Sequence, residues 1–272
     1  MTTISRARRT LGAALVAGAV PGIALAQTDY YNTDAGRPVR IEDAYAIERR
    51  GVELQAAPLR LERAKGGVYR WGLEPEIALG VLPRTQLEVG APLVYVDGGL
   101  GTHTTSLAGI DVSVLHNLNV ETRLPALGIR GDLLLPAGAL GPDRVYSSLT
   151  GIATKTFRWA RVHANGQYTF GRAATAAAAG ARAVEVSRWL AGAAIDRTFP
   201  LRSMLVTGEV YARRPLHDGA DVEWHAGVGT RYQLTPRWAI DGGVGRRLTG
   251  DDPAWSLTAG GAWAFGLPWS AR

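Results

Sequence analysis

The chain has 272 residues, no cysteine and a formal charge of +6. Without cysteine it forms neither disulfides nor thiolate metal sites. Its Lys and Arg are scattered along the chain rather than gathered in a patch, which argues against a nucleic-acid partner.

Arg6, Arg8 and Arg9 precede an apolar run from Leu11 to Ala26 that closes Ala24-Leu25-Ala26. A basic start, a short apolar middle and an A-x-A end predict a secretory signal over 1–26, cleaved before Gln27. The run is too short, and too interrupted by Pro21, to read as a membrane-spanning helix. This segment holds three Arg and no acid, so the charge beyond it falls from +6 to +3. Residues 27–50 are polar and read as a periplasmic N-terminal segment, with a short helix expected over Ile41–Arg49.

From Gly51 the pattern changes to period two. Between Val68 and Val81 the odd positions carry Tyr69, Trp71, Leu73, Ile77, Leu79 and Val81. The even positions carry Arg70, Gly72, Glu74, Glu76, Ala78 and Gly80. After Pro83-Arg84 the alternation resumes, with Leu87, Val89, Leu93 and Tyr95 on one face. That is the mark of strands with one apolar and one polar or small face, each about ten residues long, the length that crosses a bilayer when tilted. Aromatic residues stand at the ends of the apolar faces, which suits a wall whose greasy side meets lipid and whose charged side encloses a lumen.

Later strands repeat the alternation at 110–114, 127–135, 162–170, 224–232 and 255–265. The stretch Val145–Thr156 can be phased either way, and Val52–Leu61 changes phase near Pro58. Short turns are expected at Leu82–Thr85, Leu124–Ala126, Phe157–Ala160, Phe199–Arg202 and Leu234–Arg237. Longer loops are expected at Glu62–Gly67, Asp97–Ala108, Ala137–Asp143, Arg172–Arg182, Pro215–Asp221 and Thr249–Pro253. Five turns alternating with six loops predict an all-β fold, an up-and-down transmembrane barrel of about 12 strands over 51–267, followed by a tail at 268–272. The expected location is the outer membrane of a Gram-negative bacterium. On this topology Tyr69, Trp71, Tyr95, Tyr168, Trp189, Trp224 and Trp255 fall near the loop end. Trp238, Trp263 and Phe265 fall near the turn end. Two interfacial girdles are thereby expected.

The runs Arg70-Trp71-Gly72-Leu73-Glu74-Pro75-Glu76, Leu82 to Gly90 and Ile110-Asp111-Val112-Ser113 resemble one group of proteobacterial outer-membrane barrels. Gly151 to Phe157 and Gly260 to Leu267 resemble the same group. These are the "transporter" proteins assigned to a MetA-type pathway of phenol degradation. The resemblance covers about 44–267. It implies an outer-membrane barrel and passage of small, often hydrophobic or aromatic, compounds.

The inward face predicts the candidate lumen residues Glu53, Glu74, Glu76, Glu88, Asp111, Arg130, Asp132, Arg161, His163, Arg188, Glu223, His225, Arg231 and Arg247, together with Lys155. Acids lead in the early strands and Arg in the later ones, so a transverse field across a constriction is one reading and a space-filling salt-bridge network the other. Twelve strands lie between the eight that pack shut and the sixteen to eighteen that hold open water, so a narrow or plugged channel is expected. Catalysis has little support. Ser113 and His116 fall on opposite faces of one strand, no G-x-S-x-G occurs, and Glu74 with Glu76 is the sole carboxylate pair of interest. No cofactor or metal site is expected. The expected partners are outer-membrane lipid, a small solute and, during biogenesis, the barrel-assembly machinery. The reading is a porin-like channel for passive uptake, with a barrel enzyme acting on lipid or envelope substrates, or a structural barrel, as the alternatives.

Overall fold

The computed structural model describes Thr33 and residues 37–55, 59–98, 103–173, 186–252 and 254–266. β1 is described over Gly51–Gln55 and Leu59–Arg63, and three strands are each broken once: β2 (Tyr69–Leu73 and Glu76–Leu82), β3 (Thr85–Gly90 and Leu93–Asp97) and β4 (His103–Leu107 and Ile110–Asn117). Eight more are continuous: β5 (Ala126–Leu135), β6 (Tyr146–Thr156), β7 (Arg161–Phe170), β8 (Ser187–Thr198), β9 (Met204–Pro215), β10 (Glu223–Thr235), β11 (Trp238–Arg247) and β12 (Trp255–Gly266).

Each strand pairs antiparallel with its sequence neighbours, and β12 returns to β1, with Gly51 opposite Gly266 and Leu59 opposite Ala259. The result is a closed barrel of twelve strands. Closure satisfies the ladder hydrogen bonds within the wall, which is what allows a sheet to stand in hydrocarbon. Both ends of the barrel chain lie at the short-turn end, as expected.

The breaks in β2, β3 and β4 fall at Glu74–Pro75, Ala91–Pro92 and Ala108–Gly109, side by side in the wall. Proline lacks the N–H that a central ladder needs, so Pro75 and Pro92 interrupt pairing in β2 and β3, while β4 breaks at Gly109, whose φ is 109°. The carbonyls of Pro75 and Pro92 still accept from Ala91 N and Ala108 N, at 3.1 and 2.8 Å. The kink therefore runs as one line across neighbouring strands.

The faces are sorted inside out. Large apolar side chains such as Trp71, Ile77, Leu133, Trp224 and Val228 are exposed, while Glu88, Arg130, His163, Arg231 and Asp241 are buried. Arg231 is 1% exposed and Val228 58%. A soluble sandwich would show the reverse; this sorting is that of a wall with lipid outside and a polar interior. Rings gather at both rims. Tyr69 meets Trp255 at 6.3 Å at the loop end, and Trp238 stacks on Trp263 at 5.5 Å at the turn end.

Several expectations are corrected. The described part of the 27–50 segment does not sit outside the barrel. Arg37, Ile41, Glu42, Asp43 and Ala44 are buried among inward-facing side chains of the wall. No helix forms over Ile41–Arg49; the chain there is irregular. Residues 103–107, expected within a loop, are strand, and the β4–β5 connection runs over 118–125, longer than the turn at Leu124–Ala126. The ambiguous β6 resolves with Tyr146, Thr150, Ile152 and Thr154 inward, so Lys155 points outward. Ile152 can face a polar interior because Ala44 and Leu115 cover it there. The 1–26 signal and the 268–272 tail lie outside the described residues.

Candidate functional site

The interior is built by two components, the inward face of the wall and the N-terminal segment that crosses it. Glycine makes the crossing sterically feasible. A Cβ at Gly80 would stand 1.9 Å from the Glu48 carbonyl oxygen, and one at Gly243 would stand 2.0 Å from that of Pro38. Gly128, Gly192 and Gly229 face Ala44, Ile41 and Pro38 in the same way. Small residues on the lumen face thus trace the groove in which the segment lies.

Polar side chains then bind its backbone. Glu209 Oε2 accepts from Arg40 N and Ile41 N, at 2.7 and 2.8 Å. Thr154 Oγ1 accepts from Ala44 N at 3.0 Å, and Asn117 Nδ2 donates to the Ala44 carbonyl at 2.9 Å. Gln86 Oε1 accepts from Ile47 N at 2.8 Å. An extended segment buried in a lumen must find such partners for its peptide groups, and here the wall supplies them. Ion pairs add Arg37–Asp241 at 3.2 Å, Arg130–Glu42 at 2.9 Å and the longer Arg161–Asp43 at 3.8 Å.

The segment divides the candidate residues into two groups. On its short-turn side lie Glu53 with Arg231 at 3.1 Å, and a cluster in which Asp196 takes Arg161 at 2.7 Å and His163 Nε2 at 3.0 Å. Glu88 is buried beside Ser113, whose hydroxyl donates to it at 2.8 Å. On the other side, a cavity of about 680 Å³ extends to the loop end, with Pro38, Val39, Arg40 and Glu42 along one boundary. Glu74, Glu76, Asp111, Arg130, Asp132, Glu223, His225 and Arg247 line it.

Arg188 does not join either group. The register slips between Ser187 and Trp189, so Ser187 and Leu190 both point inward and Arg188 is left outside. Its guanidinium carbon stands 5.8 Å from the centre of the exposed Tyr168 ring. A bulge of this kind moves one side chain to the other face, which a strict alternation cannot register.

The charges do not separate into an acidic and a basic wall. Early-strand acids do meet later arginines, as in Glu88–Arg130 at 2.8 Å. However, Arg60 pairs with Glu74 at 3.0 Å and Glu62 at 3.4 Å within the early strands. Glu223 gathers Arg213 at 3.0 Å and Arg247 at 3.4 Å within the late ones. The cavity lining holds eight Arg and eight carboxylates. Its electrostatics are therefore a mosaic of short local pairs rather than one transverse field.

At the turn end, Glu121 fastens the β4–β5 connection. It accepts from Thr156 N and Thr156 Oγ1, each at 2.8 Å, and from the Tyr45 hydroxyl at 3.1 Å. Lys155 Nζ stands 3.0 Å away. Burial would push the Glu121 carboxyl up, but the bonds from Thr156, Lys155 and Tyr45 outweigh it and hold the group at about 2.

Sequence reasoning missed Arg37, Arg40, Glu42 and Asp43 as interior residues, and with them Arg60 and Arg213. The usable signal was the set of lumen-face glycines, which mark where a second backbone comes close.

A closed twelve-stranded barrel with an apolar exterior and a charged interior defines a transmembrane β-barrel of the bacterial outer-membrane type. No protein-family profile and no curated protein sequence matches the chain. Solved structures do. An outer membrane channel from Pseudomonas putida F1 superposes with a TM-score of 0.56 at 13% identity, over 82% of this chain and 98% of that one. The NanC porin gives 0.51 at 8% identity, over 78% and 100%. The translocator domain of the autotransporter NalP from Neisseria meningitidis gives 0.51 at 11%, over 78% and 88%. At these identities the likeness is one of fold.

Proposed function

We propose that this chain is a porin-like channel of the Gram-negative outer membrane, serving passive uptake of small molecules rather than catalysis. The observation that carries the reading is the cavity of about 680 Å³ inside a wall whose charges face inward, bounded by the N-terminal segment. Pore walls of paired charge select small solutes by size and by local field. The channel and porin among the structural neighbours support the same reading; the autotransporter domain among them belongs to another use of the fold. Ser113 and His116 engage different partners, Glu88 and Thr85, from opposite faces of β4, so they do not build a nucleophile–base pair.

The narrower form of the reading follows the resemblance to the phenol-degradation barrels, with small aromatic or hydrophobic compounds as solutes. The lumen surfaces that would meet them are Tyr211, stacked on His225 at 4.8 Å, and Val94 and Leu134 in the cavity lining. Planar-bilayer recording tests the channel reading. Reproducible small steps are expected; a silent, correctly folded protein would remove it.

A further inference from the structure

We infer that the turn end of the barrel carries an arginine collar that binds the phosphate headgroups of anionic phospholipids in the periplasmic leaflet of the outer membrane. The inference goes beyond the channel reading and does not depend on it. Its basis is a regularity among the five short connections. Each carries one arginine: Arg84 between β2 and β3, Arg123 between β4 and β5, Arg158 between β6 and β7, Arg202 between β8 and β9, and Arg237 between β10 and β11. Successive connections are two strands apart in the closed wall, so the five are spread around the rim rather than gathered on one side.

All five residues are exposed, and none has a carboxylate partner among the described residues. The one acid in these connections, Glu121, is already taken by Thr156, Lys155 and Tyr45. Turn geometry does not explain the choice of arginine. Arg84 stands at φ 59°, a left-handed conformation that glycine and asparagine adopt more readily. The opposite rim has another balance. Its described loop residues hold Asp143, Asp218, Asp221, Asp251 and Asp252 against Lys65, Arg144 and Arg172. The uncompensated positive charge therefore belongs to the turn end.

The neighbours of these arginines point to lipid. Each lies within two positions of a large, exposed apolar side chain: Leu82, Leu124, Phe157 with Trp159, Leu201 and Trp238. Arg158 stands between Phe157 and Trp159, whose rings stack at 6.0 Å. Apolar groups that continue the lipid-facing wall, bordered by guanidiniums, match the boundary between acyl chains and phosphates. A guanidinium also suits phosphate, which it binds through two parallel hydrogen bonds. An acidic protein partner would dock from one side, whereas a leaflet surrounds the barrel as the arginines do.

The test is the lipid selectivity of the full chain in phosphatidylcholine vesicles, read by electron paramagnetic resonance of spin-labelled phosphatidylglycerol and phosphatidylcholine. Phosphatidylglycerol is expected to associate with the barrel about fivefold more strongly, the effect of one basic residue at an anionic headgroup. The preference should disappear in about 1 M salt, where charge is screened within about 3 Å. Arg84→Asn combined with Arg123→Gln, Arg158→Gln, Arg202→Gln and Arg237→Gln should abolish it, and lysine at the same five positions should retain it. Arg144→Gln with Arg172→Gln, at the loop end, should leave it unchanged. Equal association of the two lipids with the wild-type protein, or a preference that persists in high salt, would overturn the inference without recourse to any variant. So would a preference that survives loss of the five arginines in a protein that keeps the barrel's circular dichroism. Binding of polyglutamate in detergent, with no preference between the lipids, would overturn it in favour of an acidic soluble partner.

Discussion

Arg130 Nη1 meets Glu42 Oε2 at 2.9 Å, joining the barrel wall to a residue 88 positions earlier in the chain. The same guanidinium takes Glu88 at 2.8 Å and Asp132 at 2.6 Å. One buried cation therefore compensates three carboxylates from β3, β5 and the N-terminal segment. Such a hub is worth less as net stability than its contact count suggests, because all four groups are desolvated. Breaking it is another matter.

Arg130→Met leaves Glu42, Glu88 and Asp132 without their shared cation. A loss on the order of 3–5 kcal/mol is expected from stranding buried charge. The midpoint of urea unfolding in lipid vesicles reads it. A midpoint equal to wild type would show that the carboxylates find other compensation and that the hub is not needed.

Gly243→Val should release the N-terminal segment. The added side chain occupies the space of the Pro38 carbonyl, which a Cβ would approach to 2.0 Å. Overpacking of that kind costs about 1–3 kcal/mol, and the segment can yield more readily than the ladder. Higher single-channel conductance and faster proteolysis within 37–50 are expected. Unchanged conductance with intact folding would separate the segment from control of the lumen.

The inside-out reading is tested by moving one charge to either face. Val228→Arg places a guanidinium on the exposed outer face of β10 and should cost about 2–4 kcal/mol near the membrane midplane. Gln167→Arg, into the cavity, should fold and insert almost normally while shifting ion selectivity. Equal tolerance of both would contradict a lipid-facing exterior.

Glu121 supplies a pH dependence of known sign. Its carboxyl lies below the ordinary value, at about 2, so its contribution is present above the unfolded-state range near 4.3 and is lost as pH falls through about 2. The contacts to Thr156, Lys155 and Tyr45 should therefore persist at pH 4. Carboxyl-carbon NMR on selectively labelled protein gives the midpoint directly. A midpoint in the ordinary carboxylate range would show that the clamp does not form.

Alternation is a local property, and it was enough to identify the wall from the amino-acid order alone. Trp71, Val89, Val228 and Trp263 recur at period two with rings near strand ends, and each stands on the outer face of the barrel. The number of strands followed from the turn residues, since each turn is encoded by its own few positions. Arg188 shows where this reasoning stops. A one-residue bulge depends on the partner strand's register, and no count along β8 reveals it. The N-terminal segment shows the same limit on a larger scale. Its polar composition fits water as well as it fits a polar lumen, and only the closed wall brings Gly80, Gly243, Glu209 and Arg130 around it. Whether a polar stretch faces solvent or the inside of a barrel depends on contacts made scores of residues away, and those exist only once the sheet has closed on itself.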